Sequence, residues 1–347
     1  VANKVCKFLP HPAFEVVAKP GIMDQYFRAK TSADDIRTAM GELEPCPVEY
    51  RDRDKRLAVM DRQGLQAAFF YPTLGVGIEE LLRDDPEACA ASFESFNKWV
   101  SEDWGYDYQN RIFGVPYIPL GDPDRAVQLL EQALAGGARA FVMRAAPVTT
   151  YHGESHGPAD PRLDRFWSLV SESGILATIH SGDSGYGRYV NDWQGFSHME
   201  AFRQNPFAGV ILADRAIMDC VASMLCDGLF LRFPKIRLAT IEAGSQWVPE
   251  LFRRLKKSFA QMPKAFSGVN PIETFKQNIW VSPFFEDDIV GLVESIGHEH
   301  VLFGSDWPHV EGLAEPTEYI HDLKGLPDDQ VRDIMRDNAF ELIGVAA

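Results

Sequence analysis

Seven short, almost wholly apolar runs recur along the chain, at 67–71, 111–118, 138–143, 176–180, 236–241, 279–282 and 301–303. Segments with helical patterning lie between them, at 54–63, 86–104, 124–134, 163–172, 217–230, 249–259 and 287–296. A strand that is apolar on both faces needs a covering layer on each side, and strands linked through helices pair in parallel. This alternation restricts the chain to an α/β fold built on a parallel sheet. A (β/α)8 barrel and an open doubly wound sheet both fit such a pattern. The open sheet is disfavoured, because no G-x-G-x-x-G opens a helix and no G-x-x-x-x-G-K is present. The expected fold is a distorted (β/α)8 TIM barrel whose first strand lies upstream of Val1 or is hidden in an atypical N-terminal stretch.

That stretch, residues 1–52, does not share the alternation. Pro10, Pro12 and Pro20 break its apolar bursts, leaving room for a short strand or hairpin at 5–9. It is expected to be an irregular arm over the main domain or a partner subunit, with the barrel occupying 53–347. Its Phe8, Phe14, Val16, Val17, Tyr26 and Phe27 follow no periodic face, so burial against something is expected, and a homodimer with it. Further on, 262–275 reads as an inserted loop, and 328–336 and 338–343 as closing helices.

The formal charge of -16, from 34 Lys and Arg against 50 Asp and Glu, argues against nucleic acid or an anionic membrane as a partner. A small anionic substrate answers to a local field and stays open. No apolar run reaches the roughly 18 residues of a membrane span, and no basic-then-apolar leader opens the chain. The five cysteines, Cys6, Cys46, Cys89, Cys220 and Cys226, are odd in number and contain no C-x-x-C pair. A thiolate zinc site or a disulfide framework is therefore unexpected, and a reducing cytoplasmic setting is the default.

On a barrel, chemistry sits at the C-terminal ends of the strands. The run 176–180 ends in His180, 236–241 is followed by Glu242, and 301–303 leads through Gly304 and Ser305 to Asp306. His152, His156, His198 and His309 lie in the loops beyond. An imidazole and a carboxylate presented from separate strands can share a divalent cation, and mixed nitrogen and oxygen donors favour zinc. His180 and Asp306 are the expected metal ligands. Each has a plainer alternative: a buried histidine bonded to a carbonyl, and a loop acid capping a turn. Glu242 could equally pair with a barrel arginine such as Arg144, and His309 could cap the loop after Asp306 or touch substrate. His11 is expected to belong to the arm. Two ligands do not hold an ion well, so others are expected from the first strand.

These residues, together with Tyr71-Pro72-Thr73, the run 175–182, the segment 241–249 and above all Gly304-Ser305-Asp306-Trp307-Pro308-His309, resemble the amidohydrolase superfamily. The likeness runs over about 54–344. It is to the amidohydrolase-related branch that includes aminocarboxymuconate-semialdehyde, resorcylate and salicylate-type decarboxylases. The resemblance implies a distorted barrel with one divalent metal, zinc most often and manganese in some members. It also implies hydrolysis or non-oxidative decarboxylation of a small carboxylic, aromatic or cyclic substrate, often by a dimer. His180 matches the family's metal histidine of the fifth strand and Asp306 the acid of the eighth. Two departures stand out. Nothing in 1–52 matches the H-x-H or E-x-H pair of the first strand, and Glu242 stands where many of the decarboxylases carry a catalytic histidine. Asp306 and Glu242 are the expected catalytic groups, and Arg144, Arg188 and His309 the expected substrate contacts. The alternative is a metal-free barrel that serves as a scaffold or binding subunit.

Overall fold

The structure is a computed structural model and describes residues 15–32, 36–72, 75–149, 153–195, 205–212 and 214–345. Its helices begin where the sequence places acids. Asp122 precedes Pro123, and its carboxylate accepts from the Asp124 and Arg125 N–H groups at 3.0 and 3.1 Å, which starts helix Pro123–Ala135. Asp52 caps Arg53–Gln63 and Asp85 caps Pro86–Asp103 in the same way. Asp122→Ala is expected to lower the unfolding free energy by about 1 kcal/mol. Urea denaturation checks this, and an unchanged midpoint would mean that the cap contributes nothing.

Two small antiparallel pairs lie apart from the main sheet. They are β1 (Val16–Val17) with β2 (Glu44–Pro45), and β6 (Val148–Thr149) with β7 (Ser155–His156). In the parallel part, β3 (Ala68–Phe70) pairs with β4 (Ile112–Gly114). Then β5 (Ala140–Arg144), β8 (Leu176–His180), β9 (Leu238–Ile241) and β10 (Ile279–Val281) lie side by side in that order. The stretch after β4 joins the two groups: Val115 donates to the Phe70 carbonyl at 3.0 Å, and Val142 to the Pro116 carbonyl at 2.9 Å. At the far end Leu302 donates to Val281 at 2.9 Å and adds 301–303 as the last stave. The run 111–118 is thus β4 plus an irregular continuation, broken at Pro116, which has no N–H for a ladder.

Side-chain parity turns this row into a barrel. Phe113, Ala140, Val142, Leu176, Ala239 and Leu302 share one interior cluster. Phe141, Met143, Ala177, Ile179, Leu238 and Val281, of the opposite parity, pack outward in the larger cluster that contains the helices. One parity in and the other out is the packing of a (β/α)8 barrel. Among the described residues no strand fills the first position of the barrel.

The described part of the arm lies on its own barrel. Gly21 and Met23 donate to the carbonyls of His309 and Val310 at 3.0 and 2.9 Å, and Arg28 grips Asp322 through two 2.8 Å bonds. The hairpin expected at 5–9 falls outside the described residues, as do His11, Phe8 and Phe14.

Several short helices occupy stretches to which the sequence assigns no helix: Gly75–Leu81, Gly187–Gln194, Pro206–Leu212 and, running out of the expected loop 262–275, Pro271–Asn278. Each spans two turns or so, too little for periodicity to stand out. The segment 217–230 divides into Arg215–Cys226 and Leu229–Arg232, because Gly228 takes a left-handed φ of 69°. The α-helix expected over 328–336 stops at Arg332; a wide turn, Asp333–Asp337, then leads into Asn338–Ile343. That turn supplies the Ile334 carbonyl to the Phe303 N–H at 3.1 Å, closing the edge of the last stave. Among the described residues no helix is long and apolar enough to cross a membrane.

Candidate metal centre

Three strand tips bring chemistry to one end of the barrel. His180 ends β8, and its Nδ1 lies 2.7 Å from the Ser181 carbonyl, which leaves Nε2 facing Glu242 Oε2 at 3.0 Å. The Tyr71 ring lies beside the imidazole, with centroids 5.3 Å apart. Glu242 follows β9 and Asp306 follows the last stave, and both adopt positive φ, 50° and 52°. Non-glycine residues rarely accept that conformation, and where they do the surroundings hold them there.

For Asp306 those surroundings are a tight loop. His309 N–H donates to the Asp306 carbonyl and Leu313 N–H to the Ser305 carbonyl, both at 2.9 Å. Gly312 closes the loop so tightly that a Cβ there would sit 2.6 Å from the Ser305 oxygen. Closure folds His309 back until Nδ1 lies 2.8 Å from Asp306 Oδ1, and brings Glu311 Oε1 to 3.9 Å from the same nitrogen. Glu242, Asp306, His309 and Glu311 then each present a ligand atom within 4.8 Å of the others.

Three carboxylates so close under cover repel one another. Burial, then the Glu242 charge, pushes Asp306 up to about 6; burial, then Asp306, pushes Glu311 up to about 7. Burial opposes a charge on His309, but Asp306 and Glu242 outweigh it and raise the imidazole to about 10. His180 is likewise raised against burial by Glu242, and Glu242 is held down against burial by His180. Carboxylates crowded beside imidazoles form a donor set that one divalent cation would neutralise. The residues present therefore fit a metal.

The expected residues are only partly brought together. His180, Glu242, Asp306 and His309 meet at one end of the barrel, and Glu242 contacts His180 rather than Arg144. Glu311 is an addition. Its one signal in the sequence was an acid five residues after Asp306 in a loop containing His309. Arg144 is the register partner of His180 on the neighbouring strand. Its side chain is only 7% exposed and is held by Glu80 at 2.6 Å, with Glu79 at 3.8 Å. Arg188, 55% exposed, reaches the same place through Glu80. A pocket beside the centre is lined by Arg144, His180, Ser181, Tyr117 and Val76. His156 sits on β7 with Nδ1 2.9 Å from the Gly157 carbonyl. His152 and His198 lie outside the described residues.

Comparison with known proteins agrees with this geometry. The amidohydrolase family model matches residues 45–345. The solved structure of an amidohydrolase from Mycobacterium avium subsp. paratuberculosis K-10 is 40% identical, with a TM-score of 0.91 over 97% of this chain and 86% of that one. A 2-amino-3-carboxymuconate-6-semialdehyde decarboxylase of Dictyostelium discoideum is 26% identical over 129 residues, and the match spans 36% of that protein's length. The gamma-resorcylate decarboxylase of Rhodococcus jostii (strain RHA1) is 22% identical over 247 residues, 67% of this chain and 70% of that protein. With a family model that accounts for most of the chain and a solved amidohydrolase that superposes on nearly all of it, this chain belongs to the amidohydrolase family.

Proposed function

We propose that the protein is a metal-dependent lyase that removes CO2, without oxidation, from a small aromatic or unsaturated carboxylic acid. The observation that carries this reading is the buried cluster of Glu242, Asp306, His309 and Glu311 beside His180. A scaffold without chemistry has no use for three mutually repelling carboxylates under cover. The names of the decarboxylase relatives support the reaction class.

His180, Asp306 and Glu311 would hold the cation, with Glu242 beside it; when bound, the ion would orient the substrate carboxylate and a neighbouring hydroxyl and draw electron density from the ring. Arg144, at the edge of the pocket, offers the substrate a positive charge, and Arg188 joins it through Glu80. Asp306 delivers a proton to the ring carbon that bears the carboxylate. The carbon–carbon bond then breaks, its electron pair returns to the ring, and CO2 leaves. His309, 2.8 Å from Asp306 and partly open to solvent, restores the proton. Glu242 accepts the proton of a substrate hydroxyl and returns it to the product.

Carboxylate and imidazole donors suit zinc and also manganese, and metal analysis of the purified protein distinguishes them. This reading also takes the protein to be a cytoplasmic homodimer. Trp193 and Val210, 67% and 83% exposed, supply apolar surface for such contact; a monomer mass by light scattering at micromolar concentration would reject it. The reaction is tested by following CO2 release from a panel of hydroxybenzoates by the metal-loaded protein. Release from at least one of them is expected. Hydrolysis of esters or amides with no CO2 from any acid would replace the proposal with a hydrolase.

A further inference from the structure

Arg144 lines the pocket beside the metal centre, and a carboxylate of the protein itself already holds its guanidinium. Helix Gly75–Leu81 lies over the strand-tip loop after β8. Asp183 N–H donates to the Val76 carbonyl at 2.9 Å, and a Cβ on Gly182 would come within 2.7 Å of that oxygen. From this helix Glu79 and Glu80 reach Arg144. Glu79 stands further back: Tyr117 OH donates to its Oε2 at 2.7 Å, and its Oε1 lies 3.8 Å from Arg144 Nε. Glu80 makes the direct contact. One of its oxygens accepts from Arg144 Nη1 at 2.6 Å and the other from Arg188. The Arg144 guanidinium is otherwise closed off: Nη2 goes to the Pro147 carbonyl at 3.2 Å, and buried Nε makes no hydrogen bond.

We propose that Glu80 occupies the seat of the substrate carboxylate on Arg144, and that an aromatic acid binds by displacing it. The proposal rests on the lyase reading above and adds an internal competitor to it. A substrate carboxylate on Arg144 would lie beside His180, its neighbour in register, and so next to the metal centre. Glu80 keeps counterions when it lets go of Arg144. Arg188 is more than half exposed and can follow it outward, and Arg83 already stands 3.8 Å away. A neutral ring lacking a carboxylate cannot exchange with Glu80 and leaves Arg144 occupied. The device selects for acids, and it keeps the buried guanidinium paired whenever the pocket lacks one.

The test titrates the metal-loaded protein with benzoate and with neutral benzamide by calorimetry. A seat that is free for about a tenth of the time weakens apparent affinity about tenfold. Glu80→Gln is therefore expected to tighten benzoate binding about tenfold and to leave benzamide within about twofold. Glu79→Gln removes the same charge near the same guanidinium without vacating the seat, and is expected to tighten benzoate binding clearly less than Glu80→Gln does. Unchanged or weaker benzoate binding in Glu80→Gln, or equal tightening in Glu79→Gln, would overturn the proposal. Should Glu80→Gln fail to fold, Glu80→Asp keeps the charge but withdraws the carboxylate by one methylene. An intermediate tightening is then expected, and none would overturn the proposal. Because binding is read without turnover, the result stands whether or not CO2 release is found.

Discussion

Replacing Asp306 with Asn is expected to lower turnover by about two to four orders of magnitude while the barrel stays folded. On the proposed reading, the substitution removes the proton the carboxyl would deliver and the negative charge it would offer a cation, yet leaves the side chain's shape almost unchanged. Asparagine is among the few residues that tolerate the left-handed backbone found here, φ 52°, so the loop 305–313 has no reason to open. Stability should move the other way from activity. Asp306 is one of three crowded carboxylates, and burial together with Glu242 already pushes its pKa up to about 6. Neutralising it relieves repulsion, so the unfolding midpoint in the presence of a chelator is expected to equal or exceed that of the wild type. Circular dichroism melts and turnover on the same samples check both halves. Unchanged turnover in Asp306→Asn would remove Asp306 from the chemistry and revive the scaffold reading.

How much of this could be seen in the chain alone depended on whether a signal was local. The staves were legible because β5, β8 and β9 are apolar on both faces, a pattern that few other environments require. Glu242 and Asp306 were legible because an acid directly after such a run has no apolar layer to enter. Glu311 was not. It reaches the cluster only because Gly312 lets the chain double back onto Ser305, and that closeness comes from a loop's path rather than from periodicity. Glu79 and Glu80 were hidden for another reason. Two adjacent glutamates after a glycine-rich stretch look like a solvated surface, and nothing local says that they face a buried arginine 64 residues further on. The same blindness made Arg144 look free for substrate, when the fold first supplies it with Glu80. The short helices Gly75–Leu81 and Gly187–Gln194 were missed because two turns carry too few apolar positions to separate helix from loop.

The cation should hold the site together as well as serve its chemistry, and stripping it is the second large effect expected. A ligand that binds the native state but not the unfolded chain stabilises by RT ln(1 + [L]/Kd), about 2.7 kcal/mol at a hundredfold excess over Kd. Here the apo site also carries the mutual repulsion of Glu242, Asp306 and Glu311, whose ligand atoms lie within 4.8 Å of one another and of His309. Dialysis against a chelator is therefore expected to abolish turnover and lower the unfolding midpoint by several degrees, with both restored by a divalent cation. Variants then apportion the site. His180→Ala should lower metal content more than stability, since its imidazole ends β8 at the barrel mouth and its loss leaves the interior cluster intact. Glu242→Gln should keep the metal and lose turnover if Glu242 handles protons beside the ion. Glu311→Gln, which alters the acid reached only through loop closure, should weaken metal affinity by about 10- to 100-fold. Elemental analysis and metal titration followed by melting temperature read each of these without any substrate. A wild type whose melting temperature ignores zinc and manganese alike, and which purifies without either, would leave the acidic cluster without its cation and the lyase reading without its centre.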